Sequence, residues 1–209
     1  FGWNLEGGFF INTDLVKEGE IKSAKDLLNS KWKGKIATAD PQSGGASAVP
    51  LTVALIKHGD DYLKGFLAQT PVLFREPRQG AEMLARGQVA ISIGTTTPVV
   101  AEFEAQGIKN IKRILPDDFS FLFMDTVWLM NKAPHPNAAK LFLNWMLTKP
   151  AQEACAAGNK QNSRRRDVAP VNQQTVPPEG AAKTFVNMLD EERYENSERT
   201  RAMARELMK

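Results

Sequence analysis

The chain is poor in the residues that carry out covalent and metal chemistry. Its 209 residues include one cysteine, two histidines and two tyrosines. The lone thiol, Cys155, excludes an internal disulfide, and it fits a reducing cytoplasm as well as a disulfide-free exported protein. Placed on an apolar helix, it reads as a buried structural thiol rather than a nucleophile. His58 and His135 have no carboxylate or cysteine at ligand spacing, which disfavours a metalloenzyme. G-x-S-x-G elbow, Walker loop and dinucleotide fingerprint are all missing, and Ser43-Gly44-Gly45 lacks the Lys-Ser/Thr pair of a P-loop. Apolar runs stay short of the roughly eighteen residues of a membrane span, and no signal-peptide pattern opens the chain. Internal repeats and low-complexity tracts are missing too.

Charge of one sign is equally scarce. Lys and Arg number 27 against 24 Asp and Glu, for a net charge of +3, which is too slight to propose nucleic acid although a single pocket can still be positive. A hydrophobic content of 42% supports a real core, in one large domain or two small lobes. The aromatic, glycine-bearing opening 1–10 starts at Phe1 rather than Met and reads as cut from a longer chain.

Hydrophobic periodicity gives the element order. Residues 8–12 form a strand, and Ser23 caps a helix carrying Leu27 and Leu28. Trp32 anchors the loop into strand 35–39. Val49, Val53, Leu55 and Ile56 then mark a helix with Pro50 in its first turn and Gly59 at its end. A second helix through Tyr62, Leu63 and Phe66 precedes strand 72–74, a short helix around Ala81 and Leu84, and a C-cap at Gly87. Strand 89–94, the polar turn Thr95-Thr96-Thr97, a helix opening at Pro98 and strand 111–115 follow. The apolar run 121–130 is rich in β-branched and aromatic residues and reads as a strand. From 136 onward the chain is mainly helical, with a polar, irregular stretch at 158–179. Such alternation predicts an α/β layered fold with helices on a mainly parallel sheet.

Three loops carry the chemistry. The turn 40–47 is small, polar and glycine-bearing, so a ligand can reach its backbone N–H groups and the donors of the following helix. An ordinary capped strand-to-helix turn explains it equally well. Loops 75–79 and 94–97 also follow strands, and in a parallel sheet all three lie at the carboxyl edge, where α/β proteins place ligands. Ser43, Gly44, Gly45 and Ala46 offer backbone donors and a hydroxyl, Arg75 and Arg78 charge, and Thr95, Thr96 and Thr97 further hydroxyls. Together they suit a phosphate, phosphonate, carboxylate or sulfonate. Against this stand a solvated arginine beside Glu76, favoured slightly for Arg78, and plain helix capping by one of the threonines. An acid, base and nucleophile set does not converge on these loops, so the reading is a binding protein and not an enzyme, with no cofactor.

The runs Ile11-Asn12-Thr13-Asp14-Leu15-Val16, Ala24-Lys25-Asp26-Leu27-Leu28 ahead of Trp32-Lys33-Gly34-Lys35-Ile36, and Ala39-Asp40-Pro41 with Ser43-Gly44 resemble the extracellular solute-binding proteins of ABC importers. The branch is the one containing the periplasmic ferric-ion-binding proteins. The resemblance continues through Gly87-Gln88-Val89-Ala90-Ile91, Pro116-Asp117, Asp125-Thr126-Val127-Trp128-Leu129 and His135-Pro136-Asn137-Ala138-Ala139-Lys140-Leu141-Phe142 to Gln152. It implies a type II periplasmic-binding-protein-like architecture of two α/β lobes joined by crossing strands, with ligand held in the cleft and closure by hinge motion. On that implication, residues 1–11 are a crossing segment from a first lobe whose opening part is absent, 12–118 the second lobe with the anion-binding loops, and 119–209 the return to the first lobe with the C-terminal helices. Phe142 and Trp145 would then be unusually exposed.

In ferric members, an anion is held by a run like Ser43-Gly44-Gly45 and iron by two consecutive tyrosines in the loop after the strand matching 89–93. This sequence has Thr97-Pro98 there, and its tyrosines, Tyr62 and Tyr194, lie elsewhere. Threonine and proline cannot replace phenolates on hard ferric ion. The resemblance therefore implies a monomeric receptor for a small anionic solute, partnered by a membrane permease, periplasmic or extracellular, with lipid anchoring left open. Iron held with a synergistic anion, and a ligand-sensing domain of a transcriptional regulator, are the alternatives.

Overall fold

A computed structural model describes residues 2–43, 45–188 and 190–208. In chain order the strands are β1 (Trp3–Gly7), β2 (Phe9–Asn12), β3 (Ile36–Ala39), β4 (Val72–Phe74), β5 (Ile91–Ile93), β6 (Ile111–Ile114), β7 (Ser120–Met124) and β8 (Val186–Asn187). The helices are α1 (Val49–His58), α2 (Asp60–Leu67), α3 (Pro77–Ala85), α4 (Thr97–Ala105), α5 (Pro136–Met146), α6 (Lys149–Asn159), α7 (Ala181–Thr184) and α8 (Glu192–Leu207). Proline stands at the first or second position of α1, α3, α4, α5 and α6, where its missing N–H costs nothing. The α/β expectation holds, and the chain forms two compact units, 7–121 with 189–209, and 1–6 with 122–188.

The larger unit is built on a five-stranded sheet of order β4-β3-β5-β2-β6. β3 runs parallel to β4 and β5, whereas β2 runs antiparallel to β5 and to β6. The sheet is thus mixed rather than mainly parallel. The chain runs from β1 through Gly7 and Gly8 straight into β2, so β2 enters at the edge where β3, β4 and β5 end and must run against them. One face carries Phe9, Ile11, Ile36, Ile91 and Ile93 beneath α1, α2 and Ala204 of α8. The other carries Phe10, Ala37, Ala39 and Phe74 beneath Leu84 of α3 and Val100 of α4. Ile36, Ile91 and Ile93 are fully buried, and each contributes about 1.5–3 kcal/mol through burial.

The placement of α8 differs from the expected division at 118/119. This helix packs on α1 in the larger unit, where the fully buried hydroxyls of Thr52 and Thr200 meet at 3.3 Å and Arg199 pairs with Asp60. α8 also lies against the turn at 41–43. Its sequence is so polar that periodicity alone could not say which core its few apolar positions serve.

The smaller unit holds the three-stranded sheet β1-β7-β8 with α5, α6 and α7. Leu5, Leu122, Ala181 and Phe185 form its core cluster. Buried Asn162 organises the irregular stretch after α6: its N–H donates to Asn4, its amide group to Asn172 O and Thr175, and its oxygen accepts from the N–H groups of Val171 and Asn172. The strand expected over 121–130 stops at Met124, and residues 126–130 are exposed. Beyond Met124 the N–H of Asp125 donates to Gly2 O at 3.3 Å, just before β1 begins. Cys155 is half-buried rather than buried, with Sγ 3.7 Å from Met146 Sδ.

Candidate functional site

The loops after β3, β4 and β5 come together because these strands are parallel neighbours. The N–H of Asp40 donates to Phe74 O at 2.8 Å, tying the first loop to the end of β4. Gly94 fastens the third loop to the end of β3. Its φ is +93°, and a Cβ there would stand 2.6 Å from Cβ of Ala39, so only glycine fits. The hydroxyls of buried Ser92 and Thr95 meet at 2.7 Å. α3 crosses directly above them at Gly80, where a Cβ would lie 2.4 Å from Thr95 Oγ1 and 2.6 Å from Ser92 Oγ.

Within the first loop, Pro41–Ser43 and Gly45–Ala48 are short 3-10 turns that run into α1. Gly44 lies outside the described residues. Ser43 is exposed and donates its hydroxyl to Asp40 Oδ2 at 3.1 Å, while Asp40 Oδ1 accepts the N–H of Gln42 at 2.9 Å. Asp40 thus occupies two donors that the sequence reading assigns to a ligand, and it brings a negative charge to the turn. Gly45 and Ala46 belong to the second 3-10 turn.

The two arginines part company. Arg75 follows β4 and is exposed, and its guanidinium has no hydrogen bond or ion pair with the described residues. Its N–H and that of Glu76 donate to Gln79 Oε1, at 3.1 and 3.4 Å. Arg78 lies on α3, not in the loop, and turns toward α4. Its Nη1 is 2.8 Å from Glu102 Oε2, its Nε 3.5 Å from Glu82, and the group stacks over Phe103.

The threonines divide as well. Thr95 is spent on Ser92. Thr96 is the exposed N-cap residue of α4, and its side chain makes no capping bond. Thr97 accepts from Nη1 of Arg113 at 3.0 Å. Sequence reasoning missed this arginine. It stands on β6 beside Phe10 of β2, and its Nη2 also donates to Gly7 O at 3.1 Å. Strand register alone brings Arg113, Phe10 and Ser92 into one row, a pairing invisible before the sheet order is known.

Tyr62 is buried among the α1 and α2 side chains and donates to Ala24 O at 2.8 Å, on the sheet face opposite α3 and α4. Tyr194 is on α8, with the Arg193 guanidinium over its ring. Among the described residues, no group of three or more His, Cys, Asp or Glu is placed to hold a metal ion. His58, expected to lack a carboxylate at ligand spacing, has one in space: Nε2 lies 3.3 Å from Asp118 Oδ2.

Comparison with known proteins places this geometry in a family. A curated relative, an uncharacterized protein of Haemophilus influenzae, is 27% identical over 154 residues, 70% of this chain and 44% of its own; the chain thus spans less than half of that relative's length. Iron-bound HitA from Pseudomonas aeruginosa has the same fold, with a TM-score of 0.73 at 14% identity over 99% of this chain and 67% of its own. The periplasmic binding protein AfuA from Actinobacillus pleuropneumoniae, solved with exogenous fructose-6-phosphate bound, gives 0.66 at 23% identity over 97% of this chain and 65% of its own. The family model described as bacterial extracellular solute-binding protein matches residues 1–163, and the chain belongs to that family.

Proposed function

We propose that the protein captures a small anionic organic solute, a carboxylate, phosphonate or sugar phosphate, and presents it to the membrane permease of an ABC importer from the periplasmic or extracellular side. The observation that carries this reading is the exposed Arg75 guanidinium, uncommitted among the described residues, in the loop after β4, at an edge where three parallel strands end and where the loops bearing Ser43 and Thr96 also follow their strands. Arg75 supplies a charge-assisted bond to an oxyanion, and the first turn of α4 supplies N–H donors with the positive end of its dipole. Ser43, Gly45 and Ala46 add short-side-chain access to backbone. Arg78, Thr95 and Thr97 serve the frame rather than the solute, since each is engaged elsewhere.

Ferric ion as the cargo fits this edge poorly. The position of the expected tyrosine pair is Thr97-Pro98, and the Thr97 hydroxyl faces a guanidinium at 3.0 Å. A cation there meets neutral oxygen and a positive neighbour. AfuA's fructose-6-phosphate makes that compound the first probe to use.

Calorimetric titration of the complete gene product tests the reading, with fructose 6-phosphate, inorganic phosphate, a short dicarboxylate and ferric citrate as separate titrants. Saturable binding of a metal-free anion is expected. Binding confined to the ferric complex would overturn the organic-anion reading, and turnover of a bound ester would overturn the transport role.

A further inference from the structure

Between the end of β2 and the 3-10 helix Ala24–Leu28, the chain 13–22 arches over the β6 edge of the larger unit's sheet, on the face that carries α1 and α2. Both ends of this segment are pinned. Val16 and Ile21 are buried in the same core as Ile11, the Thr13 N–H donates to Asn110 O at 2.8 Å, and the N–H groups of Leu15 and Val16 donate to Asn12 O. Its middle, Lys17-Glu18-Gly19-Glu20, closes on itself instead. The Lys17 N–H donates to Glu20 Oε2 at 3.0 Å and the Glu20 N–H to Lys17 O at 3.2 Å, with Gly19 at φ +74°. These four residues have no apolar side chain to send inward, so the space beneath them stays unfilled. The result is a pocket of about 210 Å³, larger than the roughly 150 Å³ of an apolar cavity that takes up benzene.

Wall and mouth differ in chemistry. Ile11, Val16, Ile21 and Ile114 form an apolar wall. Charge collects at the mouth, where Lys17, Glu18 and Lys112 stand exposed and Cε of Lys22 comes within 3.7 Å of where a Cβ on Gly19 would be. Of the two carboxylates in the turn, Glu20 is held by Lys31 and by the Lys17 N–H, and Glu18 pairs with Lys112 at 3.0 Å with its own side chain 89% exposed. So exposed a pair is weak, and Lys112 can exchange it for another carboxylate. We propose that this pocket binds a small amphipathic carboxylate, an aryl or short alkyl chain of about ten non-hydrogen atoms. Its apolar body lies against Ile11, Ile21 and Ile114, and its carboxylate takes charge-assisted bonds from Lys112 and Lys17. A cationic amphiphile would meet three ammonium groups at the mouth. In the strand order β6 and β4 are opposite edges of the sheet, so this site is separate from the Arg75 loop and does not depend on the solute reading.

Fluorine NMR of the complete gene product tests this, with 4-fluorophenylacetate as probe and 4-fluorophenylacetamide and 4-fluorophenethylamine as its neutral and cationic counterparts. Arg75→Ala is carried throughout, which keeps the β4 edge out of the measurement. Saturable binding of the carboxylate is expected, with a dissociation constant below about 1 mM and at least about threefold tighter than the amide. Lys17→Met with Lys112→Met should weaken it at least about fivefold, and Ile114→Trp, which fills the pocket, at least about tenfold. Should Ile114→Trp fail to fold, the double lysine variant still decides, because both side chains are exposed. Backbone amide shifts on adding the probe should fall on 13–21 and 111–114. The proposal is overturned by absent binding, by amide or amine binding as tightly as the carboxylate, by indifference to the lysines, or by shifts on 75–79 and 94–97 instead. Failure of the solute reading would show in the titrations with phosphate esters and would leave each of these readouts as it is.

Discussion

Nε2 of His58 lies 3.3 Å from Oδ2 of Asp118, and the same carboxylate accepts the N–H of Ala24 through both oxygens, at 3.0 and 3.1 Å. One side chain thereby joins the end of α1, the 3-10 turn Asp117–Phe119 and the 3-10 helix Ala24–Leu28. Removing it strands the Ala24 N–H, while the ring nitrogen of His58 keeps the Asp118 backbone carbonyl at 3.2 Å. Asp118→Ala should cost about 2 kcal/mol in urea unfolding, with Asp118→Asn recovering part of the loss because one acceptor remains.

Tyr62 gives an alkaline signature. Burial first, then the neighbouring Asp118 charge, push its hydroxyl far above the ordinary value near 10. The fold favours the neutral phenol, and unfolding frees a group that ionises more readily. The stability it contributes is fully present below the unfolded value and is lost as pH rises above about 10. Tyr62→Phe should flatten that alkaline decline, at a cost of about 1 kcal/mol at neutral pH for the bond to Ala24 O. Chemical denaturation of both proteins at a series of pH values between neutrality and about 12 checks the difference.

Gly80 is required by close approach rather than by backbone angle. A methyl group there would meet Thr95 Oγ1 at 2.4 Å, Ser92 Oγ at 2.6 Å and Phe74 Cε1 at 2.8 Å. Gly80→Ala should destabilise by about 1–3 kcal/mol despite the better helix propensity of alanine. Thermal unfolding gives the magnitude, and a stabilised variant would mean that α3 does not sit this close to β5.

Arg75 and Arg78, three residues apart, should separate cleanly by calorimetry on the gene product. Arg75→Ala is expected to weaken binding of a phosphate ester at least about tenfold, with unfolding unchanged. Arg78→Ala should leave affinity intact and cost under about 1 kcal/mol, since its ion pairs with Glu82 and Glu102 are exposed. Equal losses of affinity would mean that charge near α3, and not a contact to the solute, is what matters.

Local signals carried the sequence reading where the physics is local. Proline at helix starts, Gly59 and Gly87 at helix ends, and Ser23 as a cap all mark real boundaries. The three loops share an edge, as the strand-turn-helix repeats imply. What stayed hidden depends on contacts between distant residues. The antiparallel β2 follows from how the chain enters the sheet, and Arg113 meets Thr97 only because β6 pairs with β2. Asp40, inside the turn singled out from sequence, takes hydrogen bonds that a search for anion donors leaves to the ligand. Exposure of Phe142 and Trp145 was legible through family resemblance alone, because their helix has an ordinary amphipathic pattern.

Helix α8 has a consequence for synthesis. Ala204 belongs to the principal core of the larger unit, and Thr200 fills its contact with α1. These residues leave the ribosome after all of 122–188, which belongs to the other unit. At about 5–20 residues per second, the larger core waits several seconds for its last piece.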